Sequence, residues 1–365
     1  MGMTNLLFSN YVLIFLSSIL IAAVVVPIAT GVSERINLVD VPGSLPHHIH
    51  KRVTPLSGGI ILVVAFGIIA TIFGVWNQPN VLIIFIAAML VFTFGIWDDL
   101  KNLSVSKKFL GQLIAVTILV IGGVRVQFLE SPQIAGSNPL VIYTVLDVVI
   151  SYLWLVGITN AFNLIDSMDG IAIGLSITAL GSYFIGSSLS GQTDLALLCV
   201  IFLGISSVLF IMNSIPAKIF LGDSGAQTLG FILAAISILY SPSGFNQVSS
   251  WFFPILVLGV PIFDTCLVIY ARLRAREPIF SPGLDHIYHR LVKIGFSLRR
   301  SVILINTAGL ILAATAFVAV NQKPLAANSF FAGCLIAGII GIILLGSKSF
   351  INTLNRKLKD YITKK

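Results

Sequence analysis

The chain reads as an all-α polytopic integral membrane protein with about eleven transmembrane helices. Three observations predict this. Apolar residues make up 57% of the 365, charged residues only 10%, and the mean hydropathy is +1.01, far outside the range of water-soluble domains. Eleven apolar runs approach the length of about 20 residues that a helix needs to span a bilayer. The Lys and Arg residues fall in alternate loops, the pattern that sets the orientation of membrane helices.

The first run, Leu7 to Val32, lacks a preceding basic segment and a following small-residue cleavage site, so it reads as a span rather than a removable leader. The next five are Gly58 to Val75, Val81 to Trp97, Phe109 to Val124, Leu140 to Thr159 and Ile171 to Leu189. Leu195 to Met212, Ala226 to Tyr240, Trp251 to Ala271, Ser301 to Val320 and Ala327 to Gly346 complete the set. Short connections and the lack of any repeat or linker predict one helical domain over 1–346. The tail, 347–365, is basic and amphipathic: Phe350, Ile351, Leu354 and Leu358 share a helical stripe, with Lys348, Arg356, Lys357 and Lys359 largely off it. Such a helix is expected to lie on anionic lipid.

An outside N-terminus makes 33–57, 98–108, 160–170, 213–225, 272–300 and the tail cytoplasmic. Those segments hold twenty of the twenty-two Lys and Arg, with only Arg125 and Lys323 elsewhere. An odd number of spans then leaves the C-terminus inside. Ten of the fourteen carboxylates and all five histidines share that side, so chemistry is expected at the cytoplasmic mouth. The net charge of +8 is explained by topology and calls for no nucleic acid. Cys199, Cys266 and Cys334 sit in apolar runs without C-x-x-C spacing, which implies neither disulfides nor zinc.

The most polar interruption is Asn160 to Ala172, N-A-F-N-L-I-D-S-M-D-G-I-A, between two apolar runs. Polar groups are costly against lipid, so this stretch belongs at a water-filled mouth. Asn160, Asn163, Asp166 and Asp169 recur every three residues, and a helical turn gathers them on one broad face. Asp98 and Asp99 end the third run as G-I-W-D-D-L, ahead of Lys101, Lys107 and Lys108. Neighbouring carboxylates repel by roughly 3 kcal/mol at an effective dielectric of about 20, which a cation or a shared proton relieves. Asp223, in F-L-G-D-S-G, adds a fifth acid flanked by glycines that permit close approach of a phosphate. Five acids on one membrane side, all offering oxygen, point to magnesium or manganese. The same G-D-S-G string in trypsin-like proteases belongs to a β-barrel, which this chain is not.

His286, His289 and Arg290 lie in D-H-I-Y-H-R-L, with the histidines three apart on one side of a helical turn, which suits either a phosphate clamp or a solvated basic loop that only sets topology. His47, His48, His50, Lys51 and Arg52 form a second basic cluster, which serves topology or a phosphate equally well. Asp264 follows Pro261 within the ninth run. At that depth it is either functional or a hydrogen-bonding link between helices. Asp147, nearer the outer face, reads as structural.

Together these loops resemble the polyprenyl-phosphate N-acetylhexosamine-1-phosphate transferase family, most closely its undecaprenyl-phosphate N-acetylglucosamine-1-phosphate transferase branch. The matching segments are D-V-P from Asp40, H-K-R-V-T-P-L-S-G-G from His50, D-D at 98 and 99, the Asn160 stretch, N-S-I-P-A-K-I-F-L-G-D-S-G from Asn213, and H-I-Y-H-R-L from His286. They run in family order over nearly the whole chain. Departures are Tyr288 where the family's H-x-H-H has histidine, Ser167 where glycine is common, and His47 and His48 in place of a basic pair.

The resemblance implies transfer of a sugar-1-phosphate from a UDP-N-acetylhexosamine to a polyprenyl phosphate at the bacterial cytoplasmic membrane, releasing UMP. It implies magnesium on Asp223 helped by Asp99, with manganese as substitute, and Asp98 positioning or deprotonating the lipid phosphate. His286, His289 and Arg290 would clamp the diphosphate. Asn160, Asn163, Asp166, Asp169 and Asn213 would bind the nucleotide, Phe220 would stack on uracil, and His50 and Lys51 would add basic contacts. Other sugars (N-acetylgalactosamine, a deoxy-aminosugar or a muramoyl-pentapeptide) stay open, as does a homodimer. A secondary transporter, the rival class, would bury its acids near the midplane of repeated halves.

Overall fold

The computed structural model describes residues 2–42, 52–136, 140–241, 251–279 and 283–363. The chain is helical almost throughout: α1 (Gly2–Arg35), α2 (Gly58–Ile72), α3 (Pro79–Lys101), α4 (Val105–Ile121), the single turn α5 (Pro132–Ala135), α6 (Val141–Ile165), α7 (Ile171–Leu189), α8 (Thr193–Asn213) and α9 (Gly222–Leu239). Then follow α10 (Phe252–Val257), α11 (Gly259–Ala275), α12 (Ile287–Ile294), α13 (Leu298–Val320), α14 (Pro324–Leu345) and α15 (Lys348–Thr363). Each of the eleven apolar runs forms helix. Among the described residues eight helices are long and apolar enough to cross a membrane. The runs in α2, α4 and α11 are shorter, at 15, 17 and 17 residues, and at 1.5 Å rise per residue fall short of a hydrocarbon core of ~30 Å. The ninth run is broken at Leu258 into α10 and α11.

The bundle is built around α9, which is buried continuously from Ser224 to Ser237. It packs against α2, α3 and α6. Close packing depends on small residues. A Cβ at Gly95 of α3 would lie 2.4 Å from the Ser224 Cα, so only glycine lets α3 and α9 touch backbone to backbone. Aromatic pairs fill the centre, with Phe66 of α2 stacked on Phe202 of α8 at 4.7 Å. Apolar side chains of α1, α6, α13 and α14 face outward, as helices surrounded by lipid require.

One non-helical element was not expected. Val39–Asp40 and Thr54–Pro55 form a two-stranded antiparallel pair, with Val39 opposite Pro55. The Pro55 carbonyl then accepts the Phe220 N–H at 2.9 Å, and the Phe220 carbonyl accepts Gly58 N–H at 3.0 Å. This pins the entrance of α2 to the entrance of α9. The tail forms a helix, α15, as its stripe predicts. Ile351 is buried, and the Asn355 amide donates to the Lys293 carbonyl of α12 at 2.7 Å.

Candidate active site

The centre of the site is the α3–α4 hairpin. Asn102 closes α3 in the left-handed conformation and Ser104 opens α4. Such a short turn makes the helices antiparallel, so residues equally far from Leu103 meet. Asp98 and Lys108 are such a pair: the Lys108 ammonium is ion-paired to Asp98 Oδ2 and reaches Asp223 Oδ2 at 2.7 Å. The Leu103 N–H donates to Asp98 Oδ1 at 2.6 Å, and the Asp98 and Asp223 carboxyl groups are within hydrogen-bonding reach of each other.

Asp99 is rotated about 100° around the same helix and meets the start of α9. Its two oxygens accept the N–H groups of Asp223 at 2.7 Å and Ser224 at 3.0 Å. These are among the unpaired donors at a helix N-terminus, where the helix dipole favours negative charge. Gly222 enters the helix at φ 69°, and a Cβ there would lie 2.7 Å from Asp99 Oδ2. The ammonium at Asp98 and the backbone amides at Asp99 offset only part of the repulsion expected among these acids.

The Asn160 stretch ends α6 at Ile165. Asn163 hydrogen bonds to Asp223. Asn160 lies one turn deeper and starts a chain of amides: its Nδ2 donates to Gln112 Oε1 at 2.7 Å, Gln112 Nε2 donates to Gln227 Oε1 at 2.9 Å, and Gln227 Nε2 donates to Asp223 Oδ2 at 3.3 Å. Asp166 follows the helix end. Burial, then the charges of Asp169, Asp223 and Asp99, push its carboxyl well above the usual carboxylate range. Asp166 thus senses three of the other acids and Asp98 senses Asp223, and a cation added here would relieve the cluster.

Asp169 accepts the Ala217 N–H at 3.1 Å. Asn213, almost fully buried, accepts Gly170 N–H at 2.9 Å and donates to the Ile219 carbonyl at 3.0 Å. Its side chain ties the 166–170 turn to the 213–221 loop, where Phe220 is half-buried.

The remaining candidates sit on α12. His286 begins it, with Nδ1 2.8 Å from Asp264 Oδ2. The ring of His289 lies 3.8 Å from that of Tyr288. Burial, then Asp169 and Asp264, raise the Tyr288 hydroxyl above its ordinary range, so Tyr288 is within electrostatic reach of Asp169. Arg290 bonds to main-chain carbonyls. Its guanidinium donates to the Asp285 carbonyl at 2.7 Å and to the Leu345 carbonyl at 2.6 Å, bracing α12 on the C-terminal end of α14. His50 and Lys51 lie outside the described residues.

No group of three or more His, Cys, Asp or Glu side chains converges in metal-binding geometry among the described residues. The donor set still fits magnesium, a hard ion that commonly takes one or two carboxylates and completes its shell with water and substrate phosphate. Asp98 and Asp223 already share one cation in Lys108. Sequence reasoning missed Lys108, Gln112 and Gln227. In the sequence Lys108 is one of three lysines after the D-D pair, and only its symmetry with Asp98 about a short turn sets it apart. The glutamines were signalled only by their polarity inside apolar runs.

Comparison with known proteins identifies the family. A family model described as glycosyl transferase family 4 matches residues 81–241, the part carrying all five acids. The probable undecaprenyl-phosphate N-acetylglucosaminyl 1-phosphate transferase of Bacillus subtilis is 33% identical over 314 residues, covering 84% of each chain. The decaprenyl-phosphate N-acetylglucosaminephosphotransferase of Mycobacterium tuberculosis is 31% identical over 318 residues, 78% of each chain. A phospho-N-acetylmuramoyl-pentapeptide-transferase of Staphylococcus aureus is 31% identical over 278 residues, 72% of this chain and 84% of its own. With its loops, its helical bundle and these relatives in agreement, the chain belongs to glycosyl transferase family 4.

Proposed function

We propose that this protein transfers N-acetylglucosamine-1-phosphate from UDP-N-acetylglucosamine to undecaprenyl phosphate, giving undecaprenyl-diphosphate N-acetylglucosamine and UMP. The observation that carries the reading is the meeting of Asp98, Asp223 and Lys108 at the α9 N-terminus, with Asp99 and Asp166 beside them. Relatives named for this activity supply the substrates.

In the reaction an oxygen of the lipid phosphate forms a bond to the sugar-bearing phosphorus. The bond from that phosphorus to the oxygen bridging to UMP breaks. A phosphate monoester is already largely ionised at neutral pH, so the site has to neutralise charge more than remove a proton. Lys108 supplies one positive charge. The α9 helix dipole, whose Asp223 and Ser224 N–H groups Asp99 already occupies, adds positive potential at the same end. Magnesium, held by Asp223 with Asp98 beside it, would offset the negative charge of the donor diphosphate. We assign Asp99 to holding the Asp223 and Ser224 backbone, instead of a direct metal bond. Asp98 positions the lipid phosphate. His286 and His289 hold the diphosphate, with Arg290 bracing their helix. Asn163, Asp166 and Asp169 bind the nucleotide, Phe220 stacks on uracil, and Asn160 and Asn213 keep these groups in register.

We further propose eleven crossings with an outside N-terminus and a cytoplasmic mouth in a bacterial inner membrane. The short α2 and α4 cross with flanking loops completing the span, and α15 rests on anionic lipid. A reporter fused after Lys365 should read as cytoplasmic and one near Ser190 as external. The reverse would put the acids out of reach of nucleotide sugars.

The chemistry is tested by mass spectrometry of the lipid made by purified protein from undecaprenyl phosphate and UDP-N-acetylglucosamine, UDP-N-acetylgalactosamine or UDP-N-acetylmuramoyl-pentapeptide. The expected lipid is the N-acetylglucosamine diphosphate. A lipid made only from another donor would move the assignment to that sugar, and no lipid from any donor would end it.

A further inference from the structure

We infer that Asp264 is a positioning residue for the transfer reaction, fixing which nitrogen of His286 carries its proton and how the ring is turned. The inference rests on the reading of His286 as a diphosphate-binding group. Asp264 lies on α11 beyond the break at Leu258, and its side chain is fully buried. Among the described residues its ion pair is with His286 and with no Lys or Arg.

Its two oxygens do separate work on the start of one helix. Oδ1 accepts the Ile287 N–H at 2.6 Å, one of the donors left unpaired at the α12 N-terminus. Oδ2 lies 2.8 Å from His286 Nδ1. An ionised carboxylate offers only acceptors, so Nδ1 must be the protonated nitrogen. That leaves Nε2 as the atom free to take or give a hydrogen bond. A carboxylate this deep is an expensive way to join two helices. A bond dedicated to one nitrogen of an imidazole is the usual arrangement for fixing the tautomer and orientation of a functional histidine.

The contact was not readable from the sequence. Asp264 and His286 are 22 residues apart and separated by a long basic loop. Only the return of that loop against α11 brings them together.

Asp264→Asn separates orientation from simple packing. The asparagine oxygen can still accept from Ile287, so α12 stays anchored, but its NH₂ facing Nδ1 moves the ring proton to Nε2. UMP release should fall roughly ten- to a hundredfold in kcat, with KM for UDP-N-acetylglucosamine nearly unchanged and the melting temperature close to the parent's. Nitrogen-15 spectra of histidine-labelled protein should show one imidazole exchanging its tautomer. His286→Gln should lose activity too, and adding Asp264→Asn to it should cost little more, since both changes act through the same ring.

A parental kcat in Asp264→Asn, an unchanged histidine spectrum, or losses that multiply in the double variant would overturn the inference. A parent that transfers no sugar phosphate would instead overturn the proposed function. The histidine spectrum would still decide the Asp264 contact in that case.

Discussion

The two ends of α6 treat carboxylates in opposite ways. Near its start, Glu130 takes the Thr144 hydroxyl and pairs with Arg125 at 2.7 Å. Asp147 there accepts the N–H groups of Leu129 at 3.1 Å and Glu130 at 3.0 Å. Each acid at this end has partners of its own, and the loop before α6 is stitched shut. About 27 Å along the helix from Asp147, at its other end, Asp98, Asp99, Asp166, Asp169 and Asp223 gather with one lysine between two of them. The Thr144 hydroxyl and Arg125 lower the Glu130 carboxyl below the usual range, whereas burial and its neighbours raise that of Asp166. Satisfied acids mark structure, and acids left in mutual tension mark the place where a cation and charged substrates are expected.

The contrast is most easily broken at Lys108. Lys108→Met leaves Asp98 and Asp223 facing each other without their shared cation. Turnover should drop on the order of a hundredfold, as for loss of one preorganised electrostatic group. Lys108→Arg should restore part of it. Steady-state UMP release over a range of magnesium concentrations measures both. Parental turnover in Lys108→Met would mean that the ammonium is only a topology signal.

A smaller effect is expected at Asn213, which bonds backbone groups of two loops. Asn213→Ala strands a buried N–H and a buried carbonyl, at a cost of about 1 to 3 kcal/mol each. The melting temperature should fall and KM for the nucleotide sugar should rise, with kcat less affected. A fall in kcat alone would mean that Asn213 acts on the reacting groups themselves.

The smallest effects should come from pH and should differ in sign between the two ends. Glu130 has a lowered folded value, so the stability it adds is present above the ordinary glutamate range and disappears as pH falls through that lower value. Asp166 has a raised folded value, so without metal the fold loses stability as pH rises through the ordinary aspartate range. In metal-free buffer Asp166→Asn should melt above the parent at pH 8 and close to it at pH 4. Glu130→Gln should leave turnover unchanged and melt slightly below the parent at pH 8. Equal responses at both sites would erase the distinction between the two ends.

Much of this molecule is legible in its sequence, because lipid imposes long apolar runs and the Lys and Arg asymmetry marks one side. D-D, G-D-S-G and the Asn160 stretch announce themselves as polar breaks in such runs. Two adjacent aspartates look equivalent on paper, but a turn of about 100° sends Asp98 to Lys108 and Asp99 to the α9 backbone. Gln112 and Gln227 are 115 residues apart, and their pairing depends on the register of packed helices, which no local pattern encodes. Arg290 has the composition of a phosphate clamp, yet the unpaired carbonyl at the end of α14 claims it. Patterns reveal which side holds the chemistry, while three-dimensional packing decides which polar group serves which partner.

Asp223 is the most direct test, since it touches Lys108, Asn163 and Gln227 and begins the central helix. UMP release from UDP-N-acetylglucosamine with undecaprenyl phosphate should be measured on purified parent and Asp223→Asn across a magnesium titration. The amide keeps the side-chain shape and binds magnesium far less well than a carboxylate. The variant should fold, yet release UMP about a hundred- to a thousandfold more slowly at every magnesium concentration. Near-parental rates across the titration would contradict a catalytic centre built on Asp223.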